Sequence, residues 1–248
     1  MAKFDMGAAW EDSIALLKAH SALTGAIAAV FLFLPTLVVA WFGPAPAEPP
    51  AGATVDQILT IFQDNIRQVL PYQLGVALFA LVGTVAILRL WLSRTGTSVG
   101  EAIGFAFRLL PTMIVVQILT GFILGLGFIL LIVPGLYLIG RLALVSPVVA
   151  DRGLYNPLEA IGESWNLTRD NGWSIFFFLF LVMIVVGITV GIVTLVVSAV
   201  VGAEPGAGRI ISGFFESALG VAASMLSIAI STAAYRQLAS GGDAGVFE

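Results

Sequence analysis

The sequence predicts an all-α, polytopic membrane protein: six transmembrane helices with short interfacial amphipathic helices, in a single integral membrane domain. Three observations carry this. Of 248 residues, 59% are hydrophobic and only 10% charged, with a mean hydropathy of +1.03. A soluble domain carries about 25% charged residues, so lipid must solvate most of this surface. The apolar residues also gather into runs near the ~20 residues that cross a bilayer. Finally, one short pattern recurs at two helix starts. Ser98-Val-Gly-Glu101-Ala-Ile-Gly104 returns as Asn156-Pro-Leu-Glu159-Ala-Ile-Gly162, and each copy leads into an apolar span.

Residues 5–19 read as an interfacial helix. Met6, Trp10, Ile14 and Leu17 share one face, with Glu11, Asp12 and Lys18 elsewhere. The first span follows at about 21–43. It is longer than the ~7–15 residues of a signal-peptide core, and acids precede it, so it reads as a retained helix. Pro44-Ala-Pro-Ala-Glu-Pro-Pro50 is a stiff connector. Thr54 and Gln57 then form a capping box for an outer amphipathic helix, 54–69. Val55, Ile58, Phe62, Ile66 and Val69 lie along one face of it.

The second span runs about 70–92. The first pattern copy starts an inner interfacial helix, 98–108, capped by Ser98 with Glu101. Residues 109–150 are too long for one span, and Pro134-Gly135 is the expected break. This gives spans at about 109–133 and 136–150. The latter is short and contains Arg141 and Pro147, so a re-entrant or tilted segment is the rival reading there. The second copy starts an inner interfacial helix, 156–170, with Asn156 and Glu159 as a capping box and Pro157 at its first position. Its apolar stripe is Leu158, Ile161 and Trp165. The last spans are about 173–201 and 208–235.

Basic residues set the expected orientation. With the amino terminus inside, Lys3, Lys18, Arg89, Arg94, Arg108, Arg152, Arg169 and Arg236 are inside, against Arg67 and Arg209 outside. Both termini are therefore expected on the cytoplasmic side. Trp10, Trp91, Trp165 and Trp173 fall at the inner interface and Trp41 at the outer one, as an aromatic belt requires.

Few side chains point to chemistry. The chain has no cysteine, one histidine (His20, at the entrance of the first span) and no clustered acids, so no metal site or cofactor is expected. A net charge of −4 argues against nucleic acid as a partner. Two charges stand within apolar spans, Arg141 and Glu216. Each costs about 2.5–3.5 kcal/mol at a span centre. Both lie about 9–11 Å from the outer end at ~1.5 Å per residue, which suggests a buried ion pair, structural or functional. In the sixth span Gly213, Ser217, Gly220, Ser224, Ser227, Ser231 and Ala234 share one face, for close packing or a polar lining. Gly121/Gly125 and Gly187/Gly191 are GxxxG pairs. Glu159, Glu163, Ser164, Trp165 and Arg169 form a candidate cytoplasmic contact helix, the other reading being a solvated face.

The block Pro134-Gly-Leu-Tyr-Leu-Ile-Gly-Arg141-Leu-Ala-Leu-Val-Ser-Pro147, followed by Leu158-Glu-Ala-Ile-Gly-Glu-Ser164-Trp165-Asn-Leu167-Thr168, resembles the membrane domain of glycerophosphodiester phosphodiesterases. It is equally similar to the YciC-type bacterial inner-membrane proteins. Ile161 stands where that pattern tends to have leucine. The resemblance implies a six-helix bacterial inner-membrane protein. It does not imply phosphodiesterase activity, which in that family belongs to a separate soluble barrel. If the family's Arg and Ser-Trp positions are functional, their counterparts are Arg141, Ser164 and Trp165.

Two functions follow as expectations. The first is a non-enzymatic protein that packs with membrane lipids, a membrane-protein partner or a second copy of itself in envelope organisation. The second is a small transporter or lipid-translocating protein with a polar core at Arg141 and Glu216.

Overall fold

The computed structural model describes residues 3–19, 21–45, 47–93, 96–201 and 206–243. His20 and Arg94 lie outside the described residues. Among these, the regular elements are all helices, and six spans are long and apolar enough to cross a membrane. The chain is a polytopic all-α membrane protein.

α1 (Met6–Lys18) is capped by Asp5, whose carboxylate accepts from the Ala8 N–H. The first span is built from α2 (Ser21–Ala28), a π turn (Ala29–Phe33) and α3 (Leu34–Phe42). Pro35 explains the π turn. It has no N–H to give the preceding turn, and its ring crowds the carbonyl four residues back. The ladder widens so that the Leu34 N–H reaches the Ala29 carbonyl. The Thr36 hydroxyl shares its proton between the Leu32 and Phe33 carbonyls.

The next two elements are longer than expected. The outer helix and second span form one helix, α4 (Val55–Leu92), continuous through Pro71. The first inner helix and third span likewise form α5 (Val99–Leu130), continuous through Pro111. Two of the three predicted capping boxes are present, Thr54 with Gln57 and Ser98 with Glu101. The break expected at Pro134-Gly135 falls earlier. Only Leu131 separates α5 from α6 (Ile132–Leu142). Proline is tolerated in a first turn because its missing N–H has no partner there anyway.

The fourth span, Ile132–Arg152, is a full 21 residues, divided into α6 and α7 (Val145–Arg152) at Ala143–Leu144. α7 is enclosed by its neighbours, with Val148, Val149 and Ala150 fully buried. It packs on α4, α5, α8 (Pro157–Leu167) and α10 (Ala207–Asp243), and so forms the centre of the core. Gly153 ends it in the left-handed conformation (φ 63°). Asn156 caps α8 by accepting from the Leu158 N–H, without the reciprocal Glu159 bond of a capping box. α9 (Gly172–Val201) and α10 complete the bundle.

α1 and α10 bring the two chain ends to one end of the bundle. Asp12 pairs with Arg236, and the Asp5 backbone exchanges hydrogen bonds with the Gln237 side chain. The Phe4 N–H donates to the Asn171 side chain. At the opposite end Arg209 donates to the Ala40 and Gly43 carbonyls, capping α3, and the Trp41 indole donates to the Ile210 carbonyl.

Candidate functional site

The block 134–169 folds into one junction of α6, α8 and the start of α9, with Arg141 at its centre. Glycine permits it. A β-carbon at Gly140 would collide with the Gly172 carbonyl. A β-carbon at Gly172 would stand 2.8 Å from Arg141 Cδ and 2.9 Å from the Tyr137 ring. α6 and α9 therefore touch backbone to backbone. That contact leaves a narrow slot in which the aliphatic stem of Arg141 lies against Gly172.

The end of α6 creates a second need. A helix leaves its last carbonyls without intrahelical partners, and buried carbonyls require them. The Ser164 hydroxyl donates to the Arg141 carbonyl at 2.8 Å, and the Thr168 hydroxyl, whose shorter bond at 2.7 Å goes to the Ser164 carbonyl, lies 3.3 Å from the same oxygen. Both residues are fully buried. Ser164 is thus an internal strut, which corrects its expected place on an exposed contact face.

The Arg141 guanidinium lies 4.2 Å from the Trp165 ring centroid and 5.7 Å from that of Tyr137. Tyr137 in turn packs on Trp173, with centroids 5.5 Å apart. Only 4% of Arg141 is exposed, yet it has no carboxylate or other hydrogen-bond acceptor among the described residues. Its Nε is both enclosed and unpaired, while the terminal nitrogens are not enclosed. A cation–π contact contributes about 1–2 kcal/mol, which offsets part of the cost of holding the charge beside the first turn of α9.

The expected Arg141–Glu216 pair is not formed. Among the described residues the ion pairs are Arg152–Glu163 and Asp12–Arg236. Arg141 faces α8 and α9, whereas Glu216 is exposed on α10 with no partner among the described residues. Similar distance from a helix end does not place two side chains on facing surfaces. The remaining contact-helix residues separate by role. Glu163 joins α8 to α7 through Arg152, Trp165 covers Arg141 while 40% exposed, and Glu159 and Arg169 are exposed.

The docking faces of α1 and α8 only partly coincide with their large apolar stripes, of which Leu17 and Ile161 pack against the core. α1 buries Ala9, Ser13 and Leu16 against the bundle, and Met6 and Trp10 are exposed. α8 buries Ala160 and Ser164, and Leu158 and Trp165 are exposed. In a bilayer, small residues let helices approach closely, and large apolar ones gain nothing by leaving lipid.

Of the recesses along α10, two border its small-residue stripe. One is an apolar groove of about 650 Å³ between α9 and α10, closed at one end by Met6 and Trp10 of α1. It follows α9 from Phe178 to Val190, about 18 Å at ~1.5 Å per residue. The other is a cleft of about 250 Å³ lined partly by Thr84, Ser146, Ser227 and Ser231. The small-residue stripe of α10 divides accordingly. Gly213, Ser217 and Ala234 are buried in packing, but Gly220, Ser224 and Ser227 are exposed. Nor do the two GxxxG pairs make helix contacts: a β-carbon at Gly121, Gly125, Gly187 or Gly191 would meet nothing within 4 Å. Among the described residues no group of three or more His, Asp or Glu side chains has metal-holding geometry. No family model, curated protein or solved structure matches the chain.

Proposed function

We propose that this integral membrane protein is a non-enzymatic, lipid-packing component of a bacterial inner membrane, with both termini cytoplasmic. The apolar groove between α9 and α10 carries the reading. It lies between two membrane-spanning helices and is open to the bilayer, so hydrocarbon is its solvent. Its ~18 Å length exceeds half of the ~30 Å hydrocarbon core, which suits one acyl chain of one leaflet. The excess of Lys and Arg toward the end that holds both termini supports the orientation. The resemblance of block 134–169 to bacterial inner-membrane proteins supports the location.

Native mass spectrometry of the purified chain tests the reading. Ala222 and Ala223 line the groove, and the A222F/A223F variant fills it. The wild type is expected to retain one phospholipid per chain more than the variant. Equal retention by two folded proteins overturns the assignment.

The lipid-translocation alternative draws on a different observation. Glu216, Gly220, Ser224 and Ser227 are exposed along one face of α10 that leads into the hydroxyl-lined cleft. Faster headgroup exchange between leaflets in reconstituted vesicles, slowed by Ser227→Leu, would favour it.

A further inference from the structure

We infer that Arg141 is the anchor of a phosphate-binding site, and that the phosphate belongs to a membrane phospholipid held against α6, α8 and α9. The inference rests on the lipid-packing reading and places a headgroup at a second position, away from the α9–α10 groove.

Arg141 is nine-tenths buried, charged, and without an acceptor for any of its N–H groups among the described residues. Side-chain packing on Gly172 and stacking on Trp165 hold the guanidinium in one place before any ligand arrives. Its enclosed Nε leaves the two terminal nitrogens as the accessible edge. That edge matches two oxygens of a phosphate, and a planar guanidinium binds such a pair with two parallel charge-assisted hydrogen bonds. The other partner of high affinity for arginine, a carboxylate, is not supplied by the described residues.

The surroundings choose between a soluble phosphate and a lipid. Trp165 and Trp173 flank the junction, each 40% exposed. From Trp173 an exposed apolar stripe continues along α9 through Phe177, Phe180 and Ile184. These residues recur at helical spacing, so they form one surface beginning beside the guanidinium. Amphipathic aromatics at the polar end and hydrocarbon contacts beyond them fit a headgroup with its acyl chain.

The test uses the full-length chain in detergent and three probes: dioleoylphosphatidylglycerol, dioleoylglycerol with the same chains but no phosphate, and inorganic phosphate. Native mass spectrometry reads bound lipid. The expected preference for the phospholipid over the diacylglycerol is about tenfold, reduced to within about twofold in Arg141→Gln. Arg141→Lys, which keeps charge but not the paired donors, is expected to lie between them. Because Arg141→Gln disturbs a buried position, Arg141→Lys is the control for folding, and wild-type tryptophan emission on titration is an independent readout. Emission should shift with phosphatidylglycerol and not with diacylglycerol. An unchanged preference in folded Arg141→Gln, or no emission shift in the wild type, overturns the inference. Displacement of the phospholipid by low-millimolar inorganic phosphate overturns the lipid assignment. Loss of the phosphate preference alone leaves the groove reading intact, whereas a wild type that retains no lipid at all removes both.

Discussion

The hydroxyl of Ser164 reaches across 23 residues of sequence to close the end of α6 by donating to the carbonyl of Arg141 at 2.8 Å. The Thr168 hydroxyl, one turn further along and bonded at 2.7 Å to the Ser164 carbonyl, stands 3.3 Å from the same oxygen. Thr168 can turn its one proton to that oxygen when the Ser164 hydroxyl is removed, and this reserve sets the first prediction. Ser164→Ala should cost about 1 kcal/mol, the usual net value of one hydrogen bond. Adding Thr168→Val should cost more than the sum of the single changes, because the buried carbonyl then has no side-chain donor. Thermal unfolding of the three variants in one detergent reads this, and strict additivity would contradict the shared acceptor.

Glycine positions should divide sharply by contact rather than by motif. Gly140→Ala drives a methyl group into the Gly172 carbonyl, and the backbone cannot yield easily. A loss of roughly 2–3 kcal/mol is expected, in the range for overpacking a tight interior. Gly172→Ala meets the flexible Arg141 stem and the Tyr137 ring, so it should cost less. Gly121→Ala, Gly125→Ala, Gly187→Ala and Gly191→Ala should be neutral or slightly stabilising, because alanine is the better helix former by about 1 kcal/mol. A ranking of midpoint temperatures that places Gly125→Ala with Gly140→Ala would contradict these contacts.

Arg141 and Glu216 should act independently. They face different neighbours, so the double-mutant cycle of Arg141→Gln and Glu216→Gln is expected to close within about 0.5 kcal/mol. Glu216→Gln alone removes a charge from an exposed position in a span and should not destabilise the fold. A coupling energy above about 1 kcal/mol, measured by denaturant unfolding, would restore the pairing expected from the sequence.

The spans were legible because crossing hydrocarbon demands length and apolarity, and both are written linearly in the chain. The cap residues Thr54 and Ser98 were legible because their chemistry is local. The faces of α1 and α8 were not. Amphipathic periodicity marks a large-residue stripe, but it does not say whether that stripe meets protein or lipid. Here Met6, Trp10 and Leu158 are exposed while Ala9, Ser13 and Ala160 pack inward. The continuity of α4 and α5 through Pro71 and Pro111 was also hidden, since hydropathy changes at those points and the helix does not. At the site, the motif drew attention to Arg141, Ser164 and Trp165. It did not disclose that one supplies a carbonyl, one closes it and one covers the charge. Those roles depend on the approach of Gly140 to Gly172, two residues that no sequence period relates.

The union of α1 with α10 has a consequence for biosynthesis. Asp12 meets Arg236 across 224 residues of chain. At about 5–20 residues per second, the ribosome needs roughly 11–45 seconds to make that partner. Through that interval α1 has left the ribosome, but the surface that will receive Ala9, Ser13 and Leu16 does not yet exist. Its exposed Met6 and Trp10 suit it to wait on the lipid surface meanwhile. The α1–α10 contact therefore cannot form until the last span is made, although α1 is the oldest helix of the bundle.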